Sequence, residues 1–386
     1  MNAVRLALVG CGSRGIEVGA NFKKHPDCEL TAVMDIYPSC TDRAVARLGV
    51  PGVRVFDDFN ALLEDGEVDA ILVACDPTFQ IDLACRAMEA GKHVCTEVPA
   101  AFSIEECRRL VETVERTGYQ YQLMEQVRYW GFVETWAEMR RQGEFGHVCF
   151  AQGEYIHYER GWGAWINADT GAVCTAFDLP SDWKAEPTWR YRVLSDPIYY
   201  LPHTLSPLLK ILDDRVVRVS CMGTRKGSYS FPDDDVALPW SDIQYALMHT
   251  ARDTVLCVGA GFSLPYVHRG PQIGCHWYEV RGTTASVESP RCKDDSFRVW
   301  RPGMGSYEAM DVSTIPINAD DEGARSGHGG ADTQASDRFI KAVQTGVPSE
   351  MDVYRAVETA APAILAAESA RKNGQMLEVP DFARHG

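Results

Sequence analysis

The sequence predicts an α/β protein: an N-terminal doubly wound parallel sheet, then a C-terminal α+β domain with a large, mostly antiparallel open sheet. Apolar strand segments alternate with helical segments through residues 1–125, which is the pattern of a parallel sheet covered on both faces. From residue 126 the pattern changes to β-rich segments separated by turns, which favours antiparallel strands. A chain of 386 residues exceeds one ordinary core, so we expect two domains, 1–125 and 126–386, with the active site between them.

A glycine-rich turn after the first strand predicts a dinucleotide site. The apolar run Val4–Val9 leads directly into Gly10-Cys11-Gly12-Ser13-Arg14-Gly15. Gly10 allows a tight turn, Gly12 lets a pyrophosphate approach the backbone, and Gly15 lets the next helix pack near the strand. The helix N-terminus also offers unpaired N–H groups to phosphate. We therefore predict a Rossmann domain and assign to cofactor binding Gly10, Gly12, Ser13, Arg14 and Gly15.

The second strand carries an acidic residue that selects the cofactor. Leu30–Met34 is apolar and ends at Asp35, at the distance where a carboxylate meets the adenosine ribose hydroxyls. Ile36 and Tyr37 follow, with no arginine to receive a 2′-phosphate. This arrangement argues against a glycine turn without a ligand, and it predicts NAD in preference to NADP.

The other elements follow from apolar runs and turn signals. The segment 70–74 is apolar throughout, as expected of a strand buried on both faces, and Ser103 with Glu106 has capping-box spacing. In the N-terminal part we predict helices at 39–48, 80–90 and 103–117 and strands at 93–97 and 121–124. Beyond it we predict antiparallel strands at 148–158, 216–223, 243–248, 254–261 and 275–281 and helices at 331–344 and 352–372. The polar, glycine-rich loop 319–330 is a candidate ligand-facing segment.

The composition narrows the classes of partner. The net charge of −16 at pH 7 argues against nucleic-acid and anionic-membrane partners, whose phosphates would be repelled. The start of the chain lacks the apolar stretch of a signal peptide, and no run approaches a membrane span. The 13 cysteines include no C-x-x-C pair, so we expect reduced thiols in a cytoplasmic protein and no metal site.

Several segments resemble the Gfo/Idh/MocA oxidoreductases. They are Gly10-Cys11-Gly12, Asp76-Pro77 and Gly91-Lys92-His93-Val94-Cys95-Thr96-Glu97-Val98-Pro99, the last of which stands where the family has GKHV-x-x-EKP. Two later segments, 200–203 and 379–382, also resemble a branch of the family. The resemblance implies a Rossmann domain with an open-faced β-sheet domain, a nicotinamide cofactor, and a polyol, sugar or cyclitol ligand.

Two positions depart from the family pattern. The family's Glu-Lys-Pro lysine contacts the reacting hydroxyl and the cofactor, but this chain has Val98, which has no side-chain proton to transfer. Many dehydrogenases of the family have an aspartate four residues before the catalytic histidine, where this chain has Tyr199. Both departures argue against a simple lysine-assisted dehydrogenase.

Another branch of the family resembles the chain more closely at these places. The motifs are Glu97-Val98-Pro99-Ala100, Glu125-Gln126-Val127-Arg128-Tyr129, Gly153-Glu154-Tyr155-Ile156-His157, Tyr200-Leu201-Pro202-His203 and Gly327-His328-Gly329-Gly330-Ala331-Asp332. They are similar to the NAD-dependent α-N-acetylgalactosaminidases and their glycoside-oxidising relatives. Members of that branch oxidise a sugar hydroxyl, eliminate the aglycone, add water and reduce the ring again.

His203 is the first candidate for proton transfer. A neutral imidazole accepts a hydroxyl proton as hydride leaves the carbon, whereas the alternative is that His203, after Pro202, only caps a helix. Tyr155 and Tyr200 are the next catalytic candidates, because a phenol can hydrogen-bond the reacting hydroxyl or act as a base. The alternative for both is packing.

The remaining candidates bind cofactor or substrate. Glu97 ends a buried strand, where open α/β sheets hold ligands. His157 shares the strand face of Tyr155, although a surface histidine would show the same spacing. We assign to the cofactor Asp76, Pro77, Glu97 and Gln126, and to the substrate His157, Trp189, Arg190 and His328. Trp162 and Trp165 are candidates for a sugar platform.

These observations favour an NAD-dependent oxidoreductase acting on a secondary hydroxyl of a sugar, glycoside or cyclitol. The alternative on the same fold is a redox-neutral glycosidase that keeps its NAD bound. A third possibility is a non-catalytic NAD-binding regulator. We also expect a homo-oligomer, since the exposed face of an open antiparallel sheet suits self-association.

Overall fold

A parallel sheet forms the N-terminal domain of the computed structural model, which describes residues 3–159, 161, 163–227, 239–265, 274–317 and 327–382. Its strands are β1 Val4–Val9, β2 Cys28–Met34, β3 Arg54–Phe56, β4 Ala70–Val73, β5 His93–Thr96 and β6 Tyr121–Leu123. Their order in the sheet is β3-β2-β1-β4-β5-β6, with all pairs parallel. The strand order reverses between β1 and β4, which is where doubly wound sheets bind ligands. The predicted Rossmann domain is confirmed.

Helices cover both faces of this sheet. They are α1 Ser13–Lys24, α2 Pro38–Leu48, α3 Phe59–Leu63, α4 Gln80–Glu89 and α5 Ile104–Thr117. After the last strand comes α6 Gly131–Arg141, which packs mainly on the helix Pro202–Leu212 of the second domain. The predicted capping box is present, because the Ser103 hydroxyl accepts a hydrogen bond from the Glu106 N–H at 3.1 Å. The sequence analysis missed β3, α3 and α6. The first two are short, with three and five residues, and give little periodicity to detect.

The rest of the chain builds a large sheet beside the first domain. Its strands are β7 Val148–Ile156, β8 Trp165–Asn167, β9 Val173–Cys174, β10 Ala185–Pro187, β11 Val216–Gly223, β12 Gln244–Thr250, β13 Val255–Gly261, β14 His276–Gly282, β15 Ser286–Glu288, β16 Arg298–Trp300, β17 Glu308–Ala309 and β18 Leu377–Glu378. Nine of them pair in the order β17-β16-β15-β14-β7-β13-β12-β11-β18, and β8, β9 and β10 form a small separate sheet. The pairs in the large sheet are antiparallel except β7 with β13, which run parallel. The expectation of a mostly antiparallel sheet is confirmed, and this one parallel pair is possible because a long crossover and not a hairpin joins its strands.

Four more helices place the site against this sheet. They are α7 Trp189–Val193, α8 Pro202–Leu212, α9 Ala331–Thr345 and α10 Val353–Arg371. Helix α8 packs on β7, and Gly153 allows this, since a Cβ there would lie 2.5 Å from the Thr204 methyl group of α8. Helix α9 returns to the first domain and packs on α1. There Phe339 and Phe22 meet edge to face with ring centroids 6.0 Å apart.

The structure also bears on the expectations for the cysteines and for membrane-spanning segments. All 13 cysteines lie in the described part of the chain, and none of them forms a disulfide. Of the described helices, none has the length and apolar character to cross a membrane. Residues 319–326 of the predicted ligand-facing loop lie outside the described residues, as does Trp162.

Candidate active site

In the glycine turn, backbone atoms pack closely against Gly10 and Gly15, whereas the space over Gly12 is empty. Gly10 has φ +93°, and a Cβ on it would lie 2.5 Å from the Cys75 nitrogen. A Cβ on Gly15 would lie 2.0 Å from the Gly10 carbonyl oxygen, whereas one on Gly12 would meet no atom within 4 Å. Helix α1 starts at Ser13 with no side-chain cap and no acidic residue in its first turn. The open space over Gly12 and the uncapped N–H groups fit a pyrophosphate.

Asp35 and Asp76 flank this turn. The Asp35 carboxylate accepts hydrogen bonds from the N–H groups of Cys11, at 2.7 Å, and Tyr37, at 3.0 Å. It is thereby held at the end of β2, beside the glycine turn, where a ribose hydroxyl is expected. The Asp76 carboxylate caps the turn that begins at Pro77 and pairs with Arg192 of α7 at 2.8 Å. The predicted cofactor residues Asp35, Asp76 and Pro77 thus lie at the carboxyl edge of the parallel sheet.

The side chain of Arg14 binds two carboxylates of the site. Its guanidinium binds both carboxylate oxygens of Asp332 at 2.9 Å, and it reaches Glu97 at 3.1 Å. Asp332 is fully buried and also contacts His328 Nδ1 at 3.1 Å, and Gln126 reaches Glu97 at 3.4 Å. Asp332 sits in the first turn of α9, so this cluster joins the two domains at the site.

The charges in this cluster set the protonation states. Burial alone would raise the pKa of Asp332, but hydrogen bonds from His328 and Arg14 outweigh it and hold that pKa far below its usual value. Burial raises the pKa of Glu97, with Arg14 opposing the effect. Burial would lower the pKa of His328, but the hydrogen bond and charge of Asp332 raise it overall. His328 therefore favours its cationic form more than a solvent-exposed histidine does.

His203 contacts a buried carboxylate that the sequence analysis did not assign. His203 is the second residue of α8, and its Nδ1 lies 2.9 Å from Glu125 Oε2. The two atoms are close, but they do not have the geometry of a hydrogen bond in this structure. The other oxygen of Glu125 accepts the Val127 N–H at 3.1 Å. The available signal was its place just after β6, at the ligand-binding edge of the sheet.

Aromatic rings form one wall of the site. Tyr155 stacks on Tyr200 at 6.0 Å between centroids, and Tyr200 stacks on Trp189 at 5.8 Å. The Tyr155 ring lies 5.0 Å from the His203 ring. Burial raises the pKa of Tyr155 well above its usual value, and it also raises the pKa of Tyr200, where the Arg190 charge opposes it. Both phenols are therefore protonated at neutral pH, and each has a proton that it can donate to a ligand.

The predicted substrate residues surround this wall. The His157 ring meets the Tyr155 ring at 4.4 Å, and the His328 ring lies 6.3 Å from that of His203. The Arg190 guanidinium lies over the Trp189 ring at 5.2 Å. Trp165 instead packs against Tyr191 in a smaller hydrophobic cluster, so it does not serve as the expected platform beside these rings. The structure therefore brings together the predicted residues His203, Tyr155, Tyr200, His157, Trp189, Arg190 and His328.

His276 and Tyr278 also belong to the site and were missed from the sequence. His276 begins β14 directly opposite Tyr155 on β7, and its ring lies 4.7 Å from the Tyr155 ring. The Tyr278 hydroxyl donates a hydrogen bond to the His203 carbonyl oxygen at 2.8 Å. Their alternate spacing on a predicted strand was the available signal. Within the described ranges, no three His, Cys, Asp or Glu side chains are grouped as a metal site requires.

Two family models match separate parts of the chain. Residues 4–125 match the Gfo/Idh/MocA model, described as an oxidoreductase family with an NAD-binding Rossmann fold. Residues 278–386 match the C-terminal domain of glycosyl hydrolase 109. The first match confirms the predicted NAD-binding domain, and the second covers β14 from Tyr278 onward together with α9 and α10.

Similar proteins span the whole chain. A glycosyl hydrolase family 109 protein of Porphyromonas gingivalis is 26% identical over 418 residues, covering 100% of this chain and 85% of that protein. An alpha-N-acetylgalactosaminidase of Shewanella oneidensis is 24% identical over 415 residues, covering 100% of this chain and 86% of that protein.

Solved structures share the fold. Levoglucosan dehydrogenase in complex with NADH has a TM-score of 0.75 at 16% identity, covering 99% of this chain and 100% of that one. Myo-inositol 2-dehydrogenase from Lactobacillus plantarum has a TM-score of 0.73 at 16% identity, covering 98% of this chain and 100% of that one. At these identities the likeness concerns the fold alone.

Proposed function

We propose that this chain, whose residues 4–125 form an NAD-binding domain of the Gfo/Idh/MocA oxidoreductase family, carries out NAD-dependent chemistry on a sugar hydroxyl. Its residues 278–386 form a glycosyl hydrolase 109 C-terminal domain. The proposed net reaction is redox-neutral hydrolysis of a glycoside. The observation that carries it is the buried His203–Glu125 pair beside the protonated phenol of Tyr155. His203 is placed to accept a proton, and Tyr155 is placed to donate one.

His203 is the proposed base for the reacting hydroxyl. His203 Nδ1 lies beside the Glu125 carboxylate, and in the tautomer that carries its proton on Nδ1 the Nε2 lone pair would take the hydroxyl proton as hydride leaves the carbon. The charge of Glu125 then stabilises the imidazolium that forms. The same nitrogen returns the proton when the ring is reduced.

The cofactor residues fit a dinucleotide in this place. The open space over Gly12 would take the pyrophosphate, Asp35 the adenosine ribose, and Glu97 with Gln126 the nicotinamide end. When bound there, NAD supplies a reversible hydride acceptor. Val98 lies in the same segment and leaves proton transfer to His203 and the tyrosines.

The phenol of Tyr155 supports the hydrolytic outcome. Oxidation of a ring hydroxyl makes the neighbouring C–H acidic. A base of the site, for which His157 beside Tyr155 is the candidate, would take that proton, and the departing aglycone oxygen needs a proton of its own. Burial keeps Tyr155 protonated, so it is suited to supply this proton. Added water would then give its hydroxide to the ring and its proton to the Tyr155 oxygen, while the base returns the first proton to carbon. Return of the hydride and of the hydroxyl proton would complete a hydrolysis with no net change in NAD.

Product analysis separates the two outcomes. Purified protein is incubated with a panel of aryl glycosides and free sugars, with and without added NAD, while aglycone and 340 nm absorbance are followed. We expect aglycone release without net NADH. Net NADH that grows in proportion to product would overturn the hydrolase proposal.

The second candidate is a dehydrogenase with the same first step. The His203–Glu125 pair alone is enough to accept the proton of a hydroxyl during oxidation, and this favours it. In that case free sugars or cyclitols give net NADH, and aryl glycosides release no aglycone.

We also propose that the protein is cytoplasmic and assembles with a second copy of itself. Met222, Leu247 and Val255 are exposed on one face of the large sheet, and no cysteine in the described part of the chain forms a disulfide. Sedimentation velocity should give a mass that is a multiple of 42.8 kDa. A single 42.8 kDa species at micromolar concentration would contradict the assembly.

A further inference from the structure

We propose that His276 determines substrate specificity: its Nε2 accepts a hydrogen bond from a hydroxyl or amide N–H of the bound sugar. The proposal rests on the proposed function, because it names a contact in that site. A substituent that cannot donate at this point, such as a fluoro, deoxy or ether group, is rejected.

The proton count of two neighbouring side chains fixes the tautomer of His276. The Tyr278 hydroxyl has one proton, and it donates that proton to the His203 carbonyl oxygen at 2.8 Å, since a carbonyl only accepts. The same hydroxyl oxygen lies 2.9 Å from His276 Nδ1. The proton between them therefore belongs to Nδ1. A neutral imidazole has one N–H, so Nε2 is left as an acceptor.

The surroundings keep this imidazole neutral. Burial lowers the pKa of His276 well below its usual value, and the nearby His203, His157 and His328 lower it further. The residue is 5% exposed, so water does little to stabilise a charge there. Nε2 consequently retains its lone pair at neutral pH.

The acceptor lies among the groups of the site and has no donor of its own. The His276 ring lies 5.0 Å from the Trp130 ring, but the Trp130 N–H is already donated to the His328 carbonyl oxygen at 2.8 Å. The rings of Tyr155 and His203 lie 4.7 Å and 6.3 Å from it. No residue in the described part of the chain donates a hydrogen bond to Nε2. Nε2 is not among the polar atoms sealed from solvent without a partner, so it is open to a ligand although the residue is largely buried. A ligand that displaces water from this acceptor without supplying a donor pays an energetic cost, so a ligand that brings a donor gains affinity and discrimination.

Substrate pairs test the contact. For each ring position, kcat/KM is measured for the parent aryl glycoside and for its deoxy and fluoro analogues. We expect one position at which the wild type prefers the parent by on the order of 10²-fold, and at which His276→Phe reduces the preference to within about threefold. Preferences at the other positions should stay unchanged. A His276→Phe enzyme that keeps every preference would overturn the proposal, and His147→Phe, a surface change far from the tyrosines, is the matched control.

Histidine ¹⁵N NMR tests the tautomer without any turnover. In protein labelled at histidine and loaded with NAD, we expect His276 to show a protonated Nδ1 and an unprotonated Nε2 at pH 7, with no titration down to pH 5.5. Tyr278→Phe removes the hydroxyl that fixes the tautomer and should shift both signals. A protonated Nε2, or titration near pH 6.5, would refute the proposal even in an active enzyme. If no glycoside or sugar reacts, the proposed function fails while the tautomer is still decided.

Discussion

At the scale of single residues, three of the histidines in the site lie in three different environments. His276 is kept neutral by burial and by the other histidines, whereas His328 gains proton affinity from Asp332. His203 faces a buried carboxylate, so it can accept a proton without leaving an uncompensated charge. Neighbouring groups therefore give the same side-chain type three roles.

Glu125 is expected to act by positioning and stabilising His203. Glu125→Gln keeps the shape of the side chain and the bond from the Val127 N–H but removes the charge that stabilises the imidazolium. We expect roughly 10²-fold lower kcat with little change in KM. Steady-state kinetics checks this, with Glu138→Gln on the exposed side of α6 as the control. An unchanged kcat would show that the carboxylate is only structural.

Tyr155 is expected to act as an acid and not as a base. Its raised pKa means that the protonated phenol persists above the ordinary tyrosine pKa of about 10, so wild-type activity should show no loss from Tyr155 ionisation below that pH. Tyr155→Phe should lower kcat by on the order of 10² for aglycones that are poor leaving groups. The loss should be much smaller for 4-nitrophenyl glycosides. Equal losses for all aglycones would contradict the acid role.

At the scale of elements, two substitutions in the turn between β1 and α1 should separate an effect on folding from an effect on cofactor binding. Gly15→Ala places a methyl group against the Gly10 carbonyl, so we expect a lower melting temperature. Gly12→Ala meets no atom, and its φ of −68° suits alanine, so the fold should be retained. The methyl group would instead fill the pyrophosphate space and weaken NAD binding. Calorimetry of unfolding and of NAD binding distinguishes the two; normal NAD affinity in Gly12→Ala would place the pyrophosphate elsewhere.

Sequence analysis was most successful in predicting where the longer helices and strands begin and end. The strands β1, β2, β4 and β5 and the helices α4, α5, α9 and α10 lie within one or two residues of their predicted bounds. Long periodic segments carry their own signal, because each residue is buried or exposed in a fixed rhythm. The two-residue strands β9, β17 and β18 have no such rhythm, and they exist only because a neighbouring strand pairs with them.

At the scale of the whole molecule, Asp332 joins the two domains across the cofactor site. Asp332→Asn leaves Arg14 with a weaker partner in a buried place, and we expect a loss of roughly 3 kcal/mol in the free energy of unfolding at pH 7. The native pKa of Asp332 is lowered, so its contribution is present above the unfolded pKa of about 3.9 and declines as the pH falls below it.

Denaturant unfolding at several pH values measures this effect. The difference between wild type and Asp332→Asn should be full at pH 7 and shrink below about pH 4. Lys341→Ala, an exposed change later on the same helix, is the control. A difference that stays constant down to pH 3 would mean that the charge of Asp332 is not the source of the stability.

The sequence by itself determined the Rossmann domain, the open glycine turn at which we expect NAD to bind, and most of the side chains that the structure gathers in the candidate site. These follow from local spacing and from motifs, which short stretches of chain carry by themselves. Only the tertiary structure decided that His203 faces Glu125, that His276 faces Tyr278, and that Arg14 binds Asp332, which lies 318 residues further along the chain. Such pairs form when helices α8 and α9 are packed between two sheets, and their energies depend on burial and distance, which no local pattern encodes.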